Sequence, residues 1–291
     1  MVKFQKAWEV LLPYLVYYLV YNAAYLILAF LYQATVGRFG GAYGQFMKTH
    51  AATVTGVMGG LCMLAGILPV VPMLKEELQR RGETLRFASV KADRAAGRTD
   101  RADDSTEGLT GLVNTKLRSV ATLTAVLAGS ASLGLNALLT LTGFADSSQT
   151  YQEVADRQYG VAFASGLILY GLISPLAEEI VFRGVIYNRL RRLYNPAIGI
   201  VASGLLFGAF HGNLVQGVYG ACLGMLMAYL YERSGKFGIP FLFHAVANLA
   251  VYTTARMEGV QAILFTPAGC AVLLAVSAGC VLAVHFGGRV E

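Results

Sequence analysis

The chain has 291 residues, 56% of them hydrophobic and 14% charged, with a mean hydropathy of +0.55. A water-soluble domain carries about a quarter charged residues, so this composition excludes an ordinary soluble globular protein and calls for lipid as the solvent of much of the surface. The formal net charge of +6 comes with no Gly-rich phosphate loop following a strand, and no nucleic-acid partner is inferred from it.

At the N-terminus Lys3 and Lys6 precede an apolar run from about Val10 to Tyr32. The run is too long for the core of a signal peptide and ends without a small-x-small cleavage site, so it reads as a retained first span. Further apolar windows bounded by charges follow, and the candidate spans are 11–32, 51–72, 119–142, 161–187, 196–211, 214–231, 238–255 and 260–286. None alternates as a membrane barrel strand does, and several approach the roughly 20 apolar residues that a helix needs to cross the hydrocarbon core. The expected fold is all-α, a polytopic membrane protein of about eight transmembrane helices. It divides into N-terminal spans over 1–74, a charged loop over 75–118, and the remaining spans over 119–291. Gly212, Asn213 and Gly217 mark either a tight hairpin between the fifth and sixth spans or a pair that does not fully cross. Cys62, Cys222, Cys270 and Cys280 all lie in apolar stretches without C-x-x-C spacing and read as small apolar side chains, not as a zinc or redox site.

Positive loops stay on the cytoplasmic side. With the N-terminus inside, only Arg38, Lys48, Arg157 and Arg256 fall in outer segments, Arg183 falls inside a span, and every other Lys and Arg is cytoplasmic. Both termini are therefore expected in the cytoplasm, and the short loops and high Gly and Ala content suit a bacterial plasma membrane. The segment 75–118 mixes ten basic with eight acidic residues. It reads as a solvated cytoplasmic loop with some helix near Lys75 to Val90. A docking role for a partner protein or anionic lipid is the sharper alternative, weakened by the near balance of charge.

An ionisable side chain at the centre of a span costs about 2.5–3.5 kcal/mol, so it usually faces a protein interior or a water-filled cavity. The first three spans carry almost none, whereas Glu178, Glu179, Arg183, His211, His244 and Asn248 all lie in later spans. Successive helical residues are about 100° apart, so Glu178 and Glu179 cannot share one direction, while Glu179 and Arg183 at i and i+4 stack on one face. Taken alone this cluster fits a buried structural ion pair equally well. Pro175 lacks an N–H, so it either kinks the span or starts a fresh helix with Ser174 as its N-cap. His211, among aromatics, reads by itself as a core histidine. His244 and Asn248 at i and i+4 share one face and could aim two donors at a developing oxyanion, or simply bond a neighbouring helix.

Together, Glu178-Glu179-x-x-x-Arg183, Phe207-x-x-x-His211 and His244-x-x-x-Asn248 resemble the three motifs of the CPBP family, which comprises type II CAAX prenyl endopeptidases and bacteriocin-processing or immunity-related relatives. The similarity covers roughly Gly166 to Tyr252, every motif position is present in order, and the first half carries no signature. The resemblance implies an intramembrane endopeptidase without cofactor or metal, acting on a membrane-associated or lipidated protein or peptide. In it, Glu178 with His211 activates water, His244 and Asn248 stabilise the oxyanion, and Glu179 and Arg183 support them. Three other readings remain. One is a zinc metalloprotease, since two histidines and a glutamate match a catalytic first shell, although H-E-x-x-H is absent. Another is a non-catalytic scaffold or immunity protein of the same fold. The third, a transporter, would spread polar residues over both halves. Glu178 lies eleven residues before Arg189, about 16 Å at 1.5 Å per residue, so the site is expected to open toward the cytoplasmic half of the bilayer, with water entering past Pro175.

Overall fold

The apolar windows are largely helical, because within lipid a chain must satisfy its backbone N–H and C=O groups internally. The computed structural model describes residues 2–39, 41–83 and 104–287, and among these residues there is no strand. The helices are α1 (Val2–Arg38), α2 (Gly41–Thr49), α3 (Ala51–Ile67), α4 (Val71–Arg80), α5 (Asp104–Leu141), α6 (Gln149–Tyr159), α7 (Phe163–Leu193), α8 (Pro196–Phe210), α9 (Leu214–Ser234), α10 (Gly238–Thr254), α11 (Glu258–Leu264) and α12 (Pro267–Phe286). Parts of α1, α5, α7, α9 and α12 are long and apolar enough to cross a membrane. Two more spans are obtained if the pairs α2–α3, bent by 76°, and α10–α11, bent by 111°, each count as one. The chain is thus an all-α, multi-pass membrane protein. At 15 residues, α8 is only about 22 Å long, short of the roughly 30 Å hydrocarbon core.

The charged segment differs in part from its expected loop form. Residues 104–118 continue α5 as helix, which suits Leu109, Leu112, Val113 and Leu117 recurring at helical spacing. Near its start α4 supplies helix over Val71–Arg80, and 84–103, which holds the rest of the helix expected up to Val90 and the centre of the candidate docking element, lies outside the described residues.

The two ends of the bundle are chemically distinct. At one end Arg189 donates to Glu77 at 3.1 Å, Arg192 bridges Glu77 at 2.6 Å and Glu9, and Arg191 donates to Glu232 at 2.7 Å, which also faces Arg81 at 3.4 Å. These ion pairs clamp α1, α4, α7 and α9 together. At the other end lie α2, α6 and α11, and the Ala162 N–H donates to Thr53 Oγ1 at 2.9 Å, tying the start of α7 to α3.

Between α8 and α9 the chain makes the tight hairpin that its glycines suggested. Gly212 has φ +70°, where a side chain would be strained, and Asn213 caps α9 by accepting from the Gln216 N–H at 2.9 Å. A Cβ on Gly208 would stand 2.2 Å from the Gly217 carbonyl oxygen, whereas one on Gly217 would meet nothing closer than 3.7 Å. Gly208→Ala is therefore expected to force the helices apart and destabilise the protein by about 1–3 kcal/mol, while Gly217→Ala is tolerated. Thermal unfolding of the two variants in the same detergent checks this; equal Tm values would refute it.

Candidate active site

The middle of α7 is not a regular α-helix. An α turn at Ser174–Glu179 is bracketed by π-helical stretches at Leu169–Ile173 and Ile180–Tyr187, and such wide turns recur at functional sites. Pro175 explains part of the irregularity. The Ser174 N–H reaches five residues back to the Leu169 carbonyl; in that register the Tyr170 carbonyl would accept from residue 175, which as proline has no N–H. The Asn248 side chain fills the gap, its Nδ2 donating to Tyr170 O at 3.0 Å. Of the two forms expected of Ser174 and Pro175, the fresh helix does not hold: Ser174 is helical, at φ −61° and ψ −51°, and caps no new helix. Its hydroxyl instead donates to Glu178 Oε1 at 2.5 Å.

Glu178 and Glu179 diverge as adjacent helical residues must, yet both reach the same imidazole. Glu179, fully buried, accepts from Arg183 Nη1 at 2.8 Å and from His244 Nδ1 at 2.8 Å, both at its Oε1. Glu178 Oε2 faces the other nitrogen, His244 Nε2, at 3.7 Å. A carboxylate can only accept, so the short Glu179 contact places a proton on His244 Nδ1 and leaves Nε2 toward Glu178. Arg183 is also fully buried. Its Nη2 donates to Gly224 O at 3.0 Å and its guanidinium lies 4.4 Å from the centre of the Phe207 ring. Phe207 in turn presents an edge to His211 at 5.0 Å and to His244 at 5.5 Å.

His211 ends α8. Its Nδ1 lies 2.9 Å from the Phe207 carbonyl oxygen, an acceptor only, so Nδ1 carries the proton and Nε2 is left as the acceptor. No direct hydrogen bond joins it to Glu178 among the described residues. What unites them is a cavity of 210 Å³ whose wall includes Ser174, Glu178, His211, His244 and Asn248. Glu179 and Arg183 lie behind that wall. Among the described residues no three His, Cys, Asp or Glu side chains converge as the ligands of a metal ion.

Sequence reasoning missed part of this site. Ser174 precedes Glu178 by four residues, the same spacing that singled out Glu179 and Arg183, and that spacing was the available signal. No periodicity marks the Tyr170 and Gly224 carbonyls, which matter because of a proline and a close helix approach. Tyr151, Gln158 and Tyr159 also line the cavity from α6, a helix in a segment that reads as an ordinary connection. Burial pushes the Tyr159 hydroxyl up to about 12, so it faces the cavity as a neutral phenol.

Burial bears on the expected water route past Pro175. From Ala177 to Leu190 every residue of α7 is buried, and so is Pro175, so among the described residues this stretch of α7 offers no exposed surface beside the proline. The cavity's remaining walls come from α6, the end of α5, the start of α9 and the second half of α10, all toward the α6 end.

Residues 160–250 match the family model described as type II CAAX prenyl endopeptidase Rce1-like. The chain is also similar to a Bacillus subtilis (strain 168) protein named "Putative membrane peptidase YdiL", with 27% identity over 109 residues. That stretch is 38% of this chain and 44% of the relative, so the chain spans less than half the length of the protein it matches. No solved structure matches it.

Proposed function

We propose, from the match of residues 160–250 to the type II CAAX prenyl endopeptidase Rce1-like family model, that this protein is an intramembrane endopeptidase hydrolysing a peptide bond of a membrane-associated protein or peptide. The observation that carries the reading is the convergence of Glu178, His211, His244 and Asn248 on one cavity, with His244 held between two carboxylates.

Hydrolysis needs a base for the attacking water, donors for the tetrahedral oxyanion and an acid for the leaving amine. Glu178 is the base: Ser174 occupies its Oε1, which leaves Oε2 for the water. His211 Nε2, an acceptor, orients that water. The proton that Glu178 takes has a short path to His244 Nε2. The imidazolium so formed is a donor for the oxyanion, steadied through Nδ1 by Glu179. Asn248 has a second amide hydrogen after serving Tyr170, and it supplies the other donor. The proton then passes to the departing nitrogen. Glu179 and Arg183 act as positioning residues. Each step uses groups already hydrogen-bonded within the fold, and the chemistry is proposed to be metal-free. Purified protein should accordingly keep its activity after treatment with a strong chelator; one tightly bound zinc per chain, lost in His211→Ala, would overturn this.

The positive-inside asymmetry supports cytoplasmic termini in a bacterial plasma membrane, and the basic end of the bundle would then be the cytoplasmic one. The direct test compares the membrane proteomes of cells expressing the wild type and Glu178→Ala. New protein termini present only with the wild type are expected, and identical sets would sink the protease reading.

A further inference from the structure

The catalytic cavity is not isolated. A second cavity of 320 Å³ lies beside it beneath α6, and the two share Asn136, Tyr151, Ala155, Tyr159 and Val251 as walls. The second reaches outward to Asp146 and Gln152 on one side and to Gln261, in α11, on the other. Its wall alternates apolar residues with side-chain amides and hydroxyls, including Asn136, Thr140 and Thr254. Groups that both donate and accept suit a ligand that does the same, as the peptide groups of an extended chain do. An acyl or isoprenoid tail would leave them unpaired. Toward the opposite end α7 is buried without a break from Ala177 to Leu190.

We infer that the cavity beneath α6 binds the extended stretch of substrate polypeptide flanking the scissile bond, and that substrate and water reach Glu178 from the membrane face opposite Arg189 and Arg192. This rests on the endopeptidase reading and adds the site and side of entry. The roof is anchored where the chain leaves α6. Arg256 Nη2 donates to Tyr159 O at 2.9 Å and to Tyr252 Oη at 2.8 Å, and its guanidinium lies 3.9 Å from the centre of the Tyr252 ring. The path therefore runs beneath an anchored helix, beside the wall that Ala155 forms in both cavities.

The test uses the full chain with its four cysteines replaced and a single cysteine introduced either at Ala155 or at Tyr194, an exposed residue of the basic end. A membrane-impermeant thiol reagent is applied to right-side-out and to inverted vesicles. Ala155→Cys should react only from the face opposite to that which labels Tyr194→Cys. Reaction of both from the same face, or failure of Ala155→Cys to react in detergent as well, would overturn the proposal. Entry is then tested by size: attaching a bulky maleimide to the folded Ala155→Cys protein should lower the yield of new membrane-protein termini at least about tenfold, the scale of effect that misplaced substrate produces, and a methyl-sized adduct should lower it less. Undiminished cleavage with the bulky adduct would refute the binding site even if the protease reading stands. If wild type and Glu178→Ala yield the same termini, it is the protease reading that has failed, and the labelling result still decides the side of opening.

Discussion

Glu178→Gln should lower cleavage by about 10²–10⁴-fold, the usual contribution of a positioned general base, without loss of folded protein. Glutamine has nearly the shape of glutamate, and its carbonyl oxygen can still accept from Ser174, whose hydroxyl lies 2.5 Å from Glu178 Oε1. What it cannot do is take a proton from water. The measurement is the rate of appearance of the new termini at matched protein level, together with Tm in detergent. Full activity in Glu178→Gln would end the glutamate mechanism, and loss of activity through unfolding would show as a lowered Tm.

The second large effect lies behind the cavity. Arg183→Ala leaves Glu179 buried without its cation, and Glu179→Ala leaves Arg183 without its anion; either change to a buried pair costs about 3–5 kcal/mol. Yet among the described residues Glu179 Oε2 and Arg183 Nε have no hydrogen-bond partner, so the pair is incompletely satisfied there and its net contribution to stability is expected to be small. The double variant Glu179→Gln/Arg183→Met should therefore recover most of the Tm lost in the singles. Its activity should stay low, because an amide steadies a protonated His244 poorly. Recovery of both stability and cleavage would show that the pair has no part in positioning the imidazole, and stable but inactive single variants would place Glu179 or Arg183 in the reaction itself.

How much of this was legible beforehand follows from what sequence spacing encodes. Runs of apolar residues bounded by charge determine helices in lipid, so all eight windows are largely helical, although 51–72 is divided between α3 and α4 and 260–286 between α11 and α12, and the Gly212–Asn213 turn announced its hairpin. The i, i+4 relation of Glu179 and Arg183 is local to one helix and was readable for that reason. The bends of α10–α11 and α2–α3 depend on packing that spacing does not specify, whereas the shortness of α8 was already visible in the window 196–211. His244 lies on a different helix from the glutamates, and nothing in spacing says that its two nitrogens meet both of them. The direction of opening was read from depth along a helix counted from one end. Depth locates Glu178 but says nothing about which neighbouring surface is sealed, and that depended on the close packing of α7 against α1, α4 and α8 and on a short helix, α6, with little apolar signal.

The buried network on α7 also bears on how the chain can be made. Glu178, Glu179 and Arg183 fall within one span, and at about 2.5–3.5 kcal/mol apiece they oppose its release into lipid as a lone helix. Arg183 and Glu179 relieve part of this within the helix, but their other partners, Phe207, Gly224 and His244, are all synthesised later. A nascent chain that has only reached Leu193 therefore holds a segment better kept beside the insertion machinery than released into the bilayer. It becomes fully compatible with lipid only once α10 has emerged to close the network, so membrane integration of this protein is expected to be coupled to completion of its proposed catalytic centre.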